Sequence, residues 1–600
     1  MEKQKTRSEI AEKYKWDLTR IYKSDQDWYN DYEVLDNKSK DIKKYEENLF
    51  DNSKNLESYL KLSEELDRLE NKLSSYASLR ESEDATNTKY QQMSSLLSDL
   101  SIKINSYESF FDEAFFKTDY KKIEDMLDEN EFLASYKKYF ERKNRYRDHY
   151  LSKEKEELVS ELLKPMYTAG NIYSMLTDAE IKYGKIKDEE GKEVELTDSN
   201  YSRFITSKNQ RVRKDAFNMM YETLSNYKNT LTLTYTGDID ATIALNRIYN
   251  FKSSRESSLY GDNIDLSVYD NLIKSVHNNL DKLFKYFKDK KEILKLDKIH
   301  LYDLYVKVAN DTDKKYSYED AIEIVLKALE PLGEDYIKKA REIFDNRLVD
   351  VYNNVGKRGG AFSSGTYDTD PYILLNYEEK LRDVSTIAHE LGHSMHTKYS
   401  KENNKRQYSD YTIFVAEVAS TVNELLLANY MLKTSDDDNE KMSLLNELLD
   451  NYKATIYRQT MFAEFEREMY NRREKKEPLT NDMISDYYYQ LNKEYFGDDV
   501  VVDDNIRYEW MRIPHFYNAF YVYKYATSMA ASTYIADKIL SGDLEFRDKY
   551  INFLSMGSRE FPIDELKTLG IDMNSSEVID NALKKFEQLE EEFVTLYNKK

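Results

Sequence analysis

Residues 386–396 read TIAHELGHSMH, and within them His389-Glu390-Leu391-Gly392-His393 has the spacing HExxH. On an α-helix, positions four apart lie one turn apart on the same face. Both imidazoles can then reach one metal ion. Glu390 is rotated off that axis, toward the coordination position left open to water. It suits the role of a base that takes a proton from a water the metal activates. His is rare in this chain, seven in 600 residues, so the motif would arise by chance with odds of roughly one in a hundred.

A hydrolytic zinc site takes three protein ligands and leaves one position open. The chain has no Cys, so the third ligand must be His, Asp or Glu. His396 lies seven residues after His389 on the same helix face, but one straight helix seldom wraps three ligands around a tetrahedral metal. The alternative lies in TIFVAEVASTVNELLLANY, residues 412–430, where Glu417 and Glu424 are seven apart among Phe414, Val415, Val418, Val422 and Leu425. A carboxylate in such apolar company is costly unless it is paired or metal-bound. In one reading Glu417 is a ligand and Glu424 steadies a ligand imidazole from behind. In the plainer reading Asp410, Glu417, Thr421 and Glu424 form a solvated polar stripe. A further run, RIPHFYNAFYVYKYATSMAAS at 512–532, contains His515 and Tyr517, Tyr521, Tyr523 and Tyr525. In a chain with 53 Tyr this could be an aromatic helix face. It could equally supply donors to the oxyanion of a tetrahedral intermediate.

The elements that must position these residues are helices. Fifteen Gly and six Pro in 600 residues are well below average usage. Leu56, Tyr59, Leu60, Leu62, Leu66 and Leu69 recur at three- and four-residue spacing, as on an amphipathic helix. Similar stripes occur in 89–117, 154–174, 208–232, 240–250, 266–295, 318–345, 438–472 and 573–598. Two stretches break the rhythm. Residues 179–197, AEIKYGKIKDEEGKEVELT, read as a β-hairpin around Asp188–Gly191, and a domain boundary is expected near 200. In 350–380, Gly356, Gly359, Gly360 and Gly365 fall within ten residues and precede PYILLNY, a short strand-like run.

Composition bounds the partners. With 89 Lys+Arg against 112 Asp+Glu, the net charge is −23. Such a chain repels phosphate backbones and anionic lipid heads, so neither nucleic acid nor membrane is an expected partner. The absence of Cys excludes disulfides, thiolate zinc sites, iron–sulfur clusters and cysteine nucleophiles. MEKQKTRSEIAEKYKWDL has no apolar signal core, and no run of 18 apolar residues occurs. The expectation is a soluble, cytoplasmic protein.

Together, HELGH, the FVAE segment whose Glu417 follows His389 by 28 residues, the GKRGGAFSSGTY loop and RIPHFYNAFYVYKYA resemble the oligoendopeptidase F branch of the thimet oligopeptidase family of zinc metallopeptidases. These motifs cover residues 350–530, and length and helical character extend the likeness over nearly the whole chain. The resemblance implies a mainly α fold in which two helical lobes flank a deep cleft or enclosed chamber, with a small β element beside the active-site helix. It implies an N-terminal helical region, residues 1–200, before a catalytic domain, 201–600. It implies one zinc per chain on His389, His393 and Glu417, with Glu390 as general base and Glu424 and His396 behind the ligands. His515, Tyr517 and Tyr521 would be the oxyanion donors, with Tyr523 in reserve. Gly359, Gly360, Ala361 and Phe362 would hold the substrate backbone, consistent with glycines that permit close approach and a strand edge that accepts an extended peptide.

The function expected is zinc-dependent cleavage of internal bonds in oligopeptides of roughly 5–20 residues, long enough to run as an extended strand through a deep cleft. The rivals are a helical metallocarboxypeptidase or aminopeptidase, which would need a group that reads a chain terminus, and a non-catalytic helical binding protein with a vestigial metal site, which would have no need of Glu390.

Overall fold

The computed structural model describes residues 4–308 and 314–599. Helices dominate it. Ser53–Glu83, at 31 residues, shows why. Asn52 caps it by accepting the Asn55 N–H at 3.0 Å. Leu56, Tyr59, Leu60, Leu66, Leu73, Tyr76 and Leu79 are buried along one stripe, while Leu62 and Leu69 sit half-buried at its margin. Each buried Leu contributes about 1.5–3 kcal/mol, so the stripe rather than intrinsic propensity holds the helix down.

Among the described residues the strands are short: β1 (Lys185–Lys187), β2 (Glu193–Glu195), β3 (Ile299–His300), β4 (Val349–Asp350), β5 (Phe362–Ser364), β6 (Tyr372–Leu374) and β7 (Val500–Val501). β1 and β2 form an antiparallel hairpin. β3 and β7 pair in parallel. The sheet that matters for the site has the order β4-β6-β5. β6 is its centre, parallel to β4 and antiparallel to β5, with Ser363 opposite Ile373. Tyr372, Ile373 and Leu374 are all buried, as expected for a strand flanked on both edges and covered on both faces. β5 is paired on one side only.

The chain divides into two compact units. The first takes residues 4–153, Lys314–Tyr430 and Ile535–Gly570 and includes the β4-β6-β5 sheet. Its N-terminal segment is laced to that sheet: the Val351 N–H donates to Tyr14 O at 3.0 Å and the Tyr372 hydroxyl to Asp17 O at 3.0 Å. Asp350 on β4 is fully buried between Arg7 and Lys357, whose Nζ lies 2.7 Å from its Oδ1. The second unit takes residues 154–308, Met431–Tyr534 and 571–599. It is built around buried ion pairs, Arg213–Asp303 and Arg458–Glu509, the latter also accepting from Tyr221 and Tyr488. Phe217, Leu283, Leu304, Tyr457, Arg458 and Met461 line a cavity of about 260 Å³ there, and none of the candidate site residues read from the sequence borders it.

Among the described residues, no helix is long and apolar enough to cross a membrane.

Candidate metal centre and active site

HELGH lies in the helix Leu381–Asn403, and Glu417 and Glu424 lie in the next helix, Ile413–Thr434. How closely these helices approach is written in Gly392. A Cβ there would sit 2.5 Å from Ser420 Cα and 2.7 Å from the Ala419 carbonyl oxygen. Only glycine lets the second helix pack this tightly on the first. Asn423 fastens the contact: its Nδ2 donates to the Ala388 carbonyl at 3.1 Å, and its Oδ1 accepts from the Tyr336 hydroxyl at 3.0 Å.

This close packing brings three ligand atoms together. His389 Nε2 and His393 Nε2 are 3.2 Å apart, and each is 3.5 Å from Glu417 Oε2. Among the described residues, His389, His393 and Glu417 form the group that could hold a metal ion. Two imidazole nitrogens and one carboxylate oxygen are the donor set of a catalytic zinc site with one position open, so these residues fit that ion. The supporting contacts fit it too. Glu424 Oε1 is 3.0 Å from His389 Nδ1, which turns Nε2 toward the centre, and Ser420 Oγ donates to Glu417 Oε2 at 3.0 Å.

The charges follow from this crowding. Burial by itself lowers the pKa of His389, but its hydrogen bond to Glu424 and the nearby carboxylates outweigh that and raise it to about 9. His393 is pushed down by burial and by the charge on His389. Glu390 is 6% exposed, and burial pushes its carboxyl up to about 7. A group poised near neutrality can both take and return a proton. The Ser363 backbone on β5 favours its ionised form, and Ser363 Oγ lies 2.8 Å from Ser394 Oγ on the HELGH helix. The one-sided strand β5 is thereby registered beside Glu390.

Gly360 has φ +80°, and neither Gly359 nor Gly360 has an atom within 4 Å of a Cβ placed on it. Gly360 and Ala361 border a cavity of about 360 Å³ with Asn376, Arg382 and Thr386. Asn376 Nδ2 fixes the loop by donating to the Gly360 carbonyl at 2.7 Å. Phe362 begins β5.

His396 is not a member of the group of converging ligand atoms. Seven residues along a helix is about 10.5 Å of rise. Its ring stacks on Tyr411 at 3.6 Å between centroids, and burial pushes its pKa down to about 3. It packs as a neutral histidine on Tyr411, whose hydroxyl lies 3.5 Å from the His393 carbonyl, and it is not one of the atoms that converge as ligands.

In the second unit, His515, Tyr521 and Tyr525 form one cluster. Their ring centroids are 6.4 Å (His515–Tyr521), 5.8 Å (His515–Tyr525) and 5.4 Å (Tyr521–Tyr525) apart, and Tyr525 Oη lies 3.4 Å from His515 Nε2. Burial lowers the pKa of His515, so it is neutral at pH 7. Two expected donors point elsewhere. Tyr517 stacks on Tyr173 at 4.1 Å, with its hydroxyl 2.8 Å from Thr234 Oγ1. Tyr523 is buried with its ring 5.0 Å from Tyr269. The reason is local: Pro514–Tyr517 is a 3-10 turn and the helix begins only at Tyr523, so no single period runs through the segment. Tyr525, not among the expected donors, joins this cluster, and its four-residue spacing from Tyr521 is the sequence signal for it.

Residues 203–585 match peptidase family M3, and residues 115–183 match oligopeptidase F. The chain belongs to peptidase family M3. Oligopeptidase PepF of Bacillus subtilis (strain 168) is 38% identical to this M3 peptidase over 593 residues, covering 99% of this chain and 88% of the relative. An oligoendopeptidase F homolog of Lactococcus lactis subsp. lactis (strain IL1403) is 34% identical over 600 residues, with 99% of each covered. The crystal structure of oligoendopeptidase-F from Enterococcus faecium superposes with a TM-score of 0.75 at 30% identity, covering 96% of this chain and 100% of that one. This M3 peptidase is a metallopeptidase of the oligoendopeptidase F type, mainly helical, with a His-His-Glu candidate metal site.

Proposed function

We propose that this M3 peptidase binds one zinc per chain on His389, His393 and Glu417 and cleaves internal bonds of peptides of roughly 5–20 residues, lengths that suit an extended strand. The observation that carries the reading is the convergence of His389 Nε2, His393 Nε2 and Glu417 Oε2 beside a buried Glu390. Zinc, when bound there, polarises a peptide carbonyl and lowers the pKa of a water. Glu390 takes the proton of the attacking water on its carboxylate and returns it to the leaving amine nitrogen. His515 and Tyr521, with Tyr525 beside them, donate hydrogen bonds to the oxyanion. The peptide lies along the free edge of β5 as an added strand, with Gly359, Gly360, Ala361 and Phe362 against its backbone. Glu424 keeps His389 in the tautomer that presents Nε2.

In this reading residues 201–600 carry the chemistry, residues 1–200 precede them as a helical region, and the enzyme works in the cytoplasm. The test pairs two measurements. Mass spectrometry of decapeptides blocked at both ends should show internal cleavage, whereas an exopeptidase would leave them intact. Glu390→Gln should keep its zinc, by metal analysis of the purified protein, while kcat falls by about 10²–10⁴. A Glu390→Gln variant that turns over like the wild type would remove Glu390 from the mechanism.

A further inference from the structure

The turn that leads into Tyr521 is held in a conformation its own sequence does not favour. Phe520 has φ +56°, a region that bulky L residues enter only when their surroundings impose it. It is the third residue of a turn closed by the Tyr521 N–H on the Asn518 carbonyl at 3.2 Å, a place where glycine or asparagine meets no steric cost. Outliers of this kind concentrate where a side chain must be aimed.

Three tethers impose the turn. Glu466, in the helix Arg458–Glu474, accepts the Phe520 N–H on Oε1 at 2.8 Å. Ser258, in the helix Ser254–Tyr260, donates to the Ala519 carbonyl at 3.0 Å. The Phe520 ring is buried between Tyr470 and Tyr269, with centroids 4.8 Å and 5.8 Å away. Glu466 is the unusual member. It is 1% exposed, its Oε2 has no hydrogen-bond partner, and burial pushes its pKa well above the carboxylate range, with only the Phe520 N–H opposing. A buried polar group in such a position is costly, and its one hydrogen bond goes to the strained residue.

We infer that Glu466 is a positioning residue: by capturing the Phe520 N–H it locks the left-handed turn that aims Tyr521 into the cluster with His515 and Tyr525. This rests on the proposed role of Tyr521 as an oxyanion donor. An acceptor atom is what the turn requires, so an amide oxygen can replace the carboxyl oxygen and an apolar side chain cannot.

The test is a double-mutant cycle on the zinc-loaded full chain, with rates expressed per folded, metal-containing molecule. Glu466→Met should lower kcat about 10–10²-fold, the scale of a misaimed group, with KM within about threefold of wild type. Glu466→Gln should stay within about threefold in kcat. In a Tyr521→Phe background, Glu466→Met should cost less than about threefold more, because a group already removed cannot be misaimed. Ser258→Ala should show a smaller loss with the same dependence on Tyr521, and it carries the comparison alone if Glu466→Met does not fold. Equal losses in both backgrounds, a Gln variant as impaired as Met, or a folded Met variant with wild-type kcat would each overturn the positioning role while leaving the oxyanion role standing. Wild-type kcat in Tyr521→Phe alone would overturn the oxyanion role and the positioning role with it.

Discussion

The metal helices and the His515–Tyr525 segment obtain their geometry by different means. His389 and His393 face the same way because the helix repeat makes them do so, and Glu417 meets them because Gly392 admits the second helix. The aromatic segment has no such repeat. A 3-10 turn, a left-handed Phe520 and a late helix start at Tyr523 succeed one another within ten residues. The directions of its side chains are set by Thr234, Ser258 and Glu466, none of them adjacent in sequence. A regular helix carries its geometry in residue count, whereas an irregular segment borrows geometry from its neighbours. Damage to the first should therefore be local and severe, and damage to the second should depend on which tether is cut.

The largest effect should come from the ligand that the second helix supplies. Glu417→Ala should weaken zinc binding by more than about 100-fold, beyond the range of losses from supporting contacts. His396→Ala should change it less than about threefold and instead lower stability, because His396 fills space against Tyr411. Zinc titration of both variants checks this, and the reverse ranking would break the contrast between the two positions.

In the aromatic segment, Tyr521→Phe should reduce kcat by about 10²–10³ with little change in KM. Tyr517→Phe should leave kcat alone and cost about 1 kcal/mol of stability through the lost Thr234 hydrogen bond. Steady-state kinetics with parallel denaturant melts separate the two. Equal kcat losses would mean that the cluster extends to Tyr517 after all.

The scaffold of the metal region should show an acid limit. Burial acts to raise the pKa of Asp350, but its hydrogen bond to Arg7 and the charges of Lys357 and Arg7 outweigh burial and depress it below the ordinary carboxylate value. The contribution of this network is therefore present above about pH 3.9 and is lost as pH falls through the lower, folded-state pKa. Asp350→Asn should cost about 3–5 kcal/mol at pH 7, because it leaves Lys357 buried without its charge partner. That deficit should shrink toward pH 3. Urea melts across that range read the difference, and a deficit independent of pH would assign the loss to packing.

Gly392→Ala tests the contact between the two helices itself. The added methyl meets backbone at 2.5 Å, and overpacking of this kind costs about 1–3 kcal/mol. Zinc affinity should fall with it, because Glu417 moves away with its helix. A stable variant with unchanged zinc affinity would show that the helix contact has slack.

The HExxH register, the helical class of the chain and the position of Glu424 behind His389 were all legible in the sequence, because each depends on counting residues along a helix. The loop at Gly359-Gly360 and the strand run in PYILLNY were legible as breaks in that count. Which of Tyr517, Tyr521, Tyr523 and Tyr525 share a cluster with His515 was not legible, because no helical period runs from the 3-10 turn at Pro514–Tyr517 into the helix at Tyr523. Ser363, Ser394 and Asn423 gave no signal, since a hydroxyl or amide becomes informative only when its partner is known.

By itself, then, the sequence determined the metal chemistry: two imidazoles and a carboxylic acid at helical spacing, in a chain without cysteine, leave few alternatives. The tertiary structure brought Glu417, and not His396, to the two imidazoles, put the free edge of β5 beside Glu390, and gathered residues 4–153, Lys314–Tyr430 and Ile535–Gly570 into one unit. The physical reason is the range of the interactions. Helix geometry is fixed by bonds four residues apart, but Phe520 is held from 54 residues away and Tyr517 from 283. Contacts of that separation form only when the whole chain has folded.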